Sequence, residues 1–335
     1  MLRKPSRVLL ALPAVALICA TAACSSGGKP ASDANSSAGS GGGGQVAGTP
    51  RIKIAMISHA PLGDAFFDTI ITGAKAAAAK DNVDFSYSGD GDAAKEATLV
   101  QTAIDSKVDG IAVSIPNPDA LRSVILKAKA AGIPVVAYNA GDRDWQSTGA
   151  LSFYGEPEVL SGQAAGDQLN KGGYKHALCV VQAQGQVQLE DRCAGMKQKF
   201  SGKVDELFAD GTNPSGYVST ISAKLHTDSS IDAVVTLGPA LGVAMADAVK
   251  KDNLKVAVAT YAMNNDVYPL LKNGQIIFTI DQQPWLQGYM SVDSLWFYLK
   301  NGTVLGANQS IATGPVVLDK TNAAAVEKYA KVGDR

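Results

Sequence analysis

Short apolar segments rich in β-branched residues alternate with longer segments of helical periodicity from about residue 51 onward. The first strand is predicted at residues 52–57, an alanine-rich helix follows at about 65–80, and a second strand comes at 83–87. The same alternation continues to a strand at 134–138. Because right-handed crossovers place helices on both faces, this βαβ repetition predicts a parallel sheet covered by helices.

A second set of elements begins after residues 153–155. It opens with a helix at about 158–170 and a strand at 177–181, and it extends to a helix at 284–300 and a last strand at 316–318. Two such sets predict an α/β fold of two doubly wound parallel-sheet lobes joined by a three-strand hinge. Ligands of open parallel sheets bind beyond the carboxyl ends of the strands, so the expected site is the cleft between the lobes.

The lobe boundaries are predicted from the places where the chain passes from one set to the other. Three crossovers are expected, near residues 153–157, 282–285 and 308–315. The N-terminal lobe is then expected to comprise residues 51–153 and 284–310, and the C-terminal lobe residues 154–283 and 311–335.

The chain begins with the features of an export signal. Basic residues within the first seven positions precede an apolar run at 8–20, and small residues stand before Cys24. The run is too short for a membrane-spanning helix of about 20 residues, so residues 1–23 are predicted to be a cleaved signal peptide. The Cys24 region resembles a bacterial lipobox, with Thr21 in place of the usual leucine, which predicts lipidation. Plain cleavage nearby, with Cys24 left as a free thiol, is the alternative.

Residues 24–50 are nearly all Gly, Ser, Ala, Asn and Asp. Such a composition cannot bury enough apolar surface to offset chain entropy, so a flexible linker is predicted. A lipid anchor followed by a linker and a globular body is typical of a protein attached to the outer face of the cell membrane. The predicted location is therefore extracytoplasmic, with the membrane reached through the lipid.

Charge and cysteine content narrow the function classes. The formal net charge is −1 and only 18% of residues are charged, without a basic stripe, so nucleic acid is not an expected partner.

Two cysteines, Cys179 and Cys193, come after the predicted signal peptide and lipidation site. Outside the cytoplasm such a pair predicts a disulfide, which would contribute about 3 kcal/mol. Two buried free thiols are the alternative. The spacing is not that of a zinc site, and no metal or cofactor is expected.

The loop after the first strand contains four candidate ligand contacts. His59 lies at the strand end, and Asp64 precedes the adjacent rings of Phe66 and Phe67. Phenyl faces stack on the C–H face of a sugar ring, and a carboxylate accepts hydrogen bonds from hydroxyls. The alternative is that one phenylalanine packs into the core and Asp64 only caps the following helix.

The other predicted strand ends are rich in amide, carboxylate and guanidinium groups and poor in nucleophiles. This combination suits hydrogen bonding to a neutral polyhydroxy compound. The candidate ligand contacts there are Asp90, Asn139, Gln184, Arg192, Gly238, Tyr261, Asp281 and Gln282.

Several segments together resemble one protein family. Residues 63–67 are similar to the first-loop N-P-F-F motif of ribose-type sugar-binding proteins of ABC importers, and residues 108–111, 131–136 and 279–284 match the same family's pattern. The resemblance extends from about residue 51 to 318. It implies the type I periplasmic-binding-protein fold and a sugar-binding lipoprotein of a bacterial importer.

The resemblance also implies roles for individual residues. Phe66 and Phe67 correspond to the stacking rings, Asp64 to the family's first-loop asparagine, Arg192 to the arginine that clamps ligand oxygens, and Gln282 to the glutamine at the crossover.

Three positions depart from the ribose binders and put D-ribose in doubt. Asn139, followed by Ala140, replaces an Asp-Arg pair, while Gly238 and Tyr261 replace an asparagine and an aspartate. The expected ligand is a small sugar or sugar alcohol. Either the pocket requires fewer ligand hydroxyls, or Asp281, Gln184 and Asp90 provide the polar contacts instead.

The expected function is capture of this ligand by a monomer, closure of the lobes around it, and delivery to an ABC transporter permease. A sensor that presents a signalling furanose or nucleoside to a membrane receptor is the alternative. No enzymatic activity is expected, because no nucleophile elbow, P-loop or dinucleotide fingerprint accompanies His59.

Overall fold

The computed structural model describes Gly48 and residues 50–335. The predicted signal peptide, the lipidation at Cys24 and nearly all of the linker lie outside the described residues. Twelve strands occur in the described part of the chain. They are β1 Ile52–Ser58, β2 Val83–Gly89, β3 Gly110–Ser114, β4 Val135–Asn139, β5 Phe153–Gly155, β6 His176–Val181, β7 Lys203–Phe208, β8 Ala233–Thr236, β9 Ala257–Tyr261, β10 Phe278–Asp281, β11 Ile311–Ala312 and β12 Val316–Asp319.

Helices follow most strands, as the periodicity predicts. They are α1 Ala65–Asp81, α2 Ala93–Asp105, α3 Pro118–Ala130, α4 Trp145–Thr148, α5 Glu158–Gly172, α6 Val187–Lys199, α7 Pro214–Thr227, α8 Pro239–Lys251, α9 Val267–Lys272, α10 Pro284–Asn301 and α11 Glu327–Val332, with a 3₁₀ turn at Ala323–Ala325.

The strands form two six-stranded sheets. Their orders are β11-β5-β4-β3-β1-β2 and β12-β10-β9-β8-β6-β7, and every pairing is parallel except β10 with β12. Each is a doubly wound sheet, whose strand order reverses between β1 and β3 in one and between β6 and β8 in the other. We call the first sheet with α1–α4 and α10 the first lobe, and the second sheet with the remaining helices the second lobe.

The two shortest strands of the first sheet are absent from the sequence-based prediction. β5 and β11 fall in segments expected to be hinge crossovers, and they pair in parallel through Ile311 with Tyr154 and Ala312 with Gly155. The pairing puts β11 in the first sheet, on the other side of the expected boundary at residue 310. The lobe boundaries themselves stay a prediction.

Central strands are buried and mostly apolar because helices cover both faces of each sheet. All five residues of β3 and all five of β4 are buried. Each sheet separates two hydrophobic clusters, one on each face. No helix among the described residues has the length and apolar character needed to cross a membrane.

Glycines allow α5 and α6 of the second lobe to pack backbone to backbone. A Cβ on Gly162 would lie 2.1 Å from the carbonyl oxygen of Arg192, and one on Gly195 would lie 2.1 Å from that of Val159. Larger side chains would separate the helices. The close approach brings the first turn of α5 against the middle of α6, and a disulfide between Cys179 of β6 and Cys193 holds α6 on the sheet.

Candidate ligand-binding site

The loops at the two points of strand-order reversal face each other across the cleft. His59 follows β1, and its Nδ1 lies 2.9 Å from Oγ of Ser114 at the end of β3. Its Nε2 lies 3.3 Å from the amide nitrogen of Gln188, which belongs to α6 of the second lobe. His59 therefore connects the two lobes.

The hydrogen-bond chain continues from His59 into the first lobe. Ser114 Oγ donates to Oε1 of the buried Glu96 over 3.0 Å. Burial raises the pKa of Glu96 to about 8. Enclosure of the imidazole, followed by the positive charge of Arg192, lowers the pKa of His59 to about 3. His59 is therefore neutral, and with Nδ1–H donating to Ser114 its Nε2 accepts from Gln188.

Three more contacts join the lobes near the same place. Arg143, after β4, donates to Asp191 of α6. The backbone N–H of Val187 donates to the carbonyl of Pro116 over 3.1 Å, and the N–H of Glu158 reaches Oδ2 of Asp142 at 3.4 Å. The first turns of α5 and α6 thus rest on strand ends of the first lobe, and the lobes are closed upon each other.

Arg192, expected to clamp the ligand, is buried and already paired within the second lobe. Its Nε and Nη2 donate to the two oxygens of Glu158 over 2.6 and 3.0 Å, and its Nη1 donates to the carbonyl of Leu237 over 3.3 Å. The guanidinium carbon lies 4.6 Å from the ring centre of Tyr261. Burial alone would lower the pKa of Arg192, but the charges and hydrogen bonds of Glu158 outweigh it and raise the pKa. Arg192 is therefore a permanent cation.

The loop after β1 contains both arrangements that the sequence left open. The exposed Asp64 accepts from the N–H groups of Phe66 and Phe67 over 3.0 and 3.2 Å, which caps α1. Phe67 is buried in the core and meets the His59 ring edge-on at 5.1 Å. Phe66 is half-buried with its ring edge-on to Phe67. Phe66 is thus the ring that remains accessible for stacking.

A buried amide network lies where the chain crosses back from β10. Nδ2 of Asn139, at the end of β4, donates to Oε1 of Gln287 over 3.1 Å. Nε2 of Gln287 donates to the carbonyl of Gln282 over 3.2 Å, and Thr313 donates to the same carbonyl over 2.7 Å. The side-chain Oε1 of Gln282 has no partner among the described residues. Asn139 and Gln282, both predicted ligand contacts, are therefore linked through Gln287.

The remaining predicted residues lie in different surroundings. Asp90 accepts from the N–H of Asp92 over 2.9 Å within its own loop, and Gln184 is exposed in the loop before α6. Asp281 is fully buried and paired with Arg335. Gly238 precedes α8, and a Cβ there would make ordinary van der Waals contact with the Gln182 amide nitrogen at 3.6 Å. Ligand contact by each of these residues stays a prediction.

Three strand ends at the cleft have non-glycine residues in the left-handed region. They are Asn139 at the end of β4, Ala262 after β9 and Gln283 after β10, with φ of 62°, 65° and 53°. Such conformations cost of order 1 kcal/mol and concentrate at ligand sites, where the surrounding fold enforces them.

Sequence reasoning did not select Glu156, Glu158 and Gln188 as site residues. The only available signal was their position. Glu156 stands in the crossover expected near residues 153–157, Glu158 begins the helix predicted at about 158–170, and Gln188 lies one helical turn before Arg192 on the same face of α6. Their burial and pairing depend on the packing of α5 against α6.

Comparisons with known proteins agree with this architecture. The profile of the periplasmic binding protein domain matches residues 54–303. The chain belongs to the periplasmic binding protein family. The predicted family and the two-lobed α/β fold are thereby confirmed.

Solved structures similar to this periplasmic binding protein include carbohydrate-binding examples. A carbohydrate transporter from Acidothermus cellulolyticus 11B, in complex with myo-inositol, is 50% identical, with a TM-score of 0.84 over 85% of this chain and 100% of that chain. A solute-binding protein from Burkholderia graminis C4D1M, in complex with D-arabinose, is 24% identical over 81% of this chain and 96% of that chain, with a TM-score of 0.73, and supports the fold alone.

A curated relative is named as a sugar-binding protein. The xylose/arabinose-binding protein XylF of Sulfolobus acidocaldarius is 25% identical over 281 residues, which cover 78% of this chain and 70% of that protein.

Proposed function

We propose that this protein is an extracytoplasmic solute-binding protein that captures a small neutral sugar or cyclic polyol between its lobes for an ABC transporter permease. The observation that carries the proposal is a solved complex with myo-inositol, whose protein is 50% identical to this chain over its whole length. A cyclic polyol falls within the ligand class expected from the strand-end residues.

The electrostatics of the cleft support an uncharged ligand. His59 is neutral, Arg192 is paired with Glu158, and Asp281 is paired with Arg335. These three candidate contacts therefore offer polar groups without a large uncompensated charge. The half-buried ring of Phe66 adds an apolar face that suits the C–H side of a sugar or cyclitol ring.

Binding would act through closure of the lobes. Four polar contacts between strand ends of the first lobe and the first turns of α5 and α6 stabilise the closed form. A ligand that touches both lobes adds to these contacts only when the lobes are closed, so it shifts the equilibrium by its differential affinity. The closed form would then dock on the permease.

Attachment to the membrane through lipidated Cys24 is part of the proposal. Its support is the lipobox-like sequence and the Gly/Ser-rich linker that follows. Mass spectrometry of the mature protein tests it: a diacylglyceryl adduct on an N-terminal Cys24 is expected, and an unmodified cysteine would contradict it.

Titration calorimetry of a soluble fragment, residues 50–335, tests the ligand class. The fragment contains both sheets and their hydrophobic cores. The ligands are myo-inositol, its stereoisomer scyllo-inositol, D-arabinose, D-xylose and D-ribose, with nucleosides as the comparison for the sensor alternative. We expect stereospecific binding of one cyclitol or sugar, and at a thousand times the Kd a stabilisation of about 4 kcal/mol. Binding of nucleosides alone would favour the sensor.

A further inference from the structure

Glu156 is a buried acid whose surroundings do not satisfy it. It directly follows β5, where the chain leaves the first sheet, and its side chain is fully buried. Within the described part of the chain, neither carboxyl oxygen has a hydrogen-bond partner. Such groups are rare because a buried polar group loses its hydrogen bonds to water and gains none in exchange. A buried, unpaired carboxyl group in a native structure therefore indicates a role other than stability.

Other unsatisfied groups occur beside it. Oγ of Ser161 on α5, the hydroxyl of Tyr261 at the end of β9 and Oε1 of Gln282 after β10 are buried and, among the residues described, have no hydrogen-bond partner. Since these groups come from separate segments, only the tertiary fold brings them together. Each of them is able to accept a hydrogen bond.

Distances to Arg192 and Gly314 locate the group on the hinge side of the cleft. Nη2 of Arg192 lies 3.9 Å from Oε2 of Glu156, and its guanidinium carbon lies 4.6 Å from the ring centre of Tyr261. A Cβ on Gly314 would lie 2.9 Å from Oε1 of Glu156 and 3.3 Å from Cα of Gln282. Glu156 is therefore next to both Arg192 and the hinge.

The charges of this region indicate what it can bind. Arg192 is neutralised by its two hydrogen bonds with Glu158. Burial, and then the negative charge of Glu158, raise the pKa of Glu156 well above its usual value, which favours the protonated, uncharged carboxyl group. The Arg192–Glu158 pair therefore presents no net charge to either a cation or an anion. The remaining class is a neutral molecule with several hydroxyl groups.

We propose that Glu156 is a specificity-determining ligand contact whose carboxyl group hydrogen-bonds two adjacent hydroxyls of the polyol or sugar, with the hydroxyl of Tyr261 as a further contact. This assignment rests on the proposed function and adds residues to it. A site built to pair with ligand hydroxyls strongly rejects analogues that lack one, because its buried groups are then left unsatisfied. The set of required hydroxyls is therefore set largely by Glu156.

The test compares wild-type residues 50–335 with Glu156→Met by titration calorimetry. The ligands are myo-inositol and its monodeoxy analogues. A protonated carboxyl group has one acceptor oxygen and one O–H donor, and methionine fills similar space without either. We expect at least tenfold weaker binding of myo-inositol by the variant. Removal of one ligand hydroxyl should weaken binding to the wild type at least a hundredfold for at least one monodeoxy analogue. This penalty should shrink at least tenfold in Glu156→Met, because the missing hydroxyl had Glu156 as its partner.

Two further variants make the test decisive. Glu206→Met is the matched control, since Glu206 lies on β7 and pairs with Lys197 at the surface, and it should bind as the wild type does. Tyr261→Phe removes only a hydroxyl that has no hydrogen-bond partner among the described residues, so it should weaken binding at least threefold with an unchanged unfolding temperature. If Glu156→Met does not fold, Tyr261→Phe alone decides.

The outcomes separate this assignment from the proposed function. Wild-type protein that binds neither myo-inositol nor any of the tested sugars overturns both. Wild-type protein that binds myo-inositol, together with a folded Glu156→Met that binds within twofold and with the same analogue pattern, overturns the role of Glu156 and leaves the function intact. Weaker binding by Glu156→Met with an equal or higher unfolding temperature supports a ligand contact, since a purely structural residue would not combine the two.

Discussion

Arg143 of the first lobe and Asp191 of the second lobe form an ion pair across the cleft. Arg143 belongs to the lobe of the first sheet and Asp191 to the lobe of the second. Their contact is therefore part of the closed arrangement of the lobes. Asp191 lies one residue before Arg192, so the helix that holds the candidate ligand clamp also holds the closing contact.

Replacement of Arg143 by alanine should shift the ligand-free protein toward an open form. The Arg143 side chain is 60% exposed, so the pair is worth only about 0.2–1 kcal/mol. We expect ligand to dissociate two- to fivefold faster and the radius of gyration in small-angle scattering to increase. Arg122→Ala is the control, because Arg122 bonds to the Ser147 carbonyl within its own lobe. If the two variants had the same radius of gyration and the same ligand dissociation rate, Arg143 would have no role in closure.

The adjacent phenylalanines should respond differently to replacement by alanine. Phe66→Ala should weaken ligand binding at least tenfold with little change in stability, because Phe66 is half-buried at the cleft. Phe67→Ala should lower the free energy of unfolding by about 3–5 kcal/mol, because Phe67 is part of the core. Calorimetry and urea denaturation of the two variants measure both effects. Unchanged affinity in Phe66→Ala would remove Phe66 from the site.

Arg192→Ala should lose both binding and stability. We expect at least tenfold weaker binding, and about 3–5 kcal/mol lower stability because Glu158 is left buried without its partner. The double variant Arg192→Met with Glu158→Gln removes both charges and should recover much of the stability without recovering binding. If the double variant bound ligand as the wild type does, Arg192 would be a structural residue only.

Glu96 should make stability fall as the pH rises. Burial raises its pKa to about 8 in the folded protein, whereas the unfolded chain has the ordinary value of about 4.5. Between pH 5 and 8 the unfolded chain loses a proton that the folded protein keeps, so the free energy of unfolding decreases by up to about 4 kcal/mol. Urea denaturation at pH 5 and pH 8 measures this decrease, which Glu96→Gln should lack.

His59 should make stability fall as the pH decreases, over a lower pH range than that of Glu96. Its pKa is lowered to about 3 in the folded protein, so stability is lost as the pH falls below about 6.5, where the unfolded chain takes up a proton. Both proteins contain His59, so the difference between wild type and Glu96→Gln isolates Glu96. Equal pH dependence of the two proteins would mean that Glu96 is ionised in the folded state.

The local pattern of apolar and polar residues was sufficient to predict most helices and strands and nearly all of the strand ends. The helix predicted at 65–80 is observed at Ala65–Asp81, and the strand predicted at 177–181 is observed at His176–Val181. Strand and helix periodicities depend on neighbouring residues, so a single sequence reveals them. The short strands β5 and β11 were missed because three and two residues are too few to establish a period.

The sequence by itself determined the element order, the family and the set of polar residues at the carboxyl ends of the strands. The tertiary structure alone decided which of them meet and in which charge state. Gln188 reaches His59 because the sheets face each other, and Arg192 pairs with Glu158 because glycines let α5 and α6 touch. The pKa of Glu156 is raised, and its carboxyl group has no hydrogen-bond partner among the described residues, because the fold buries it next to Glu158. Hydrogen bonding, burial and pKa depend on residues distant in the chain, so no local pattern encodes them.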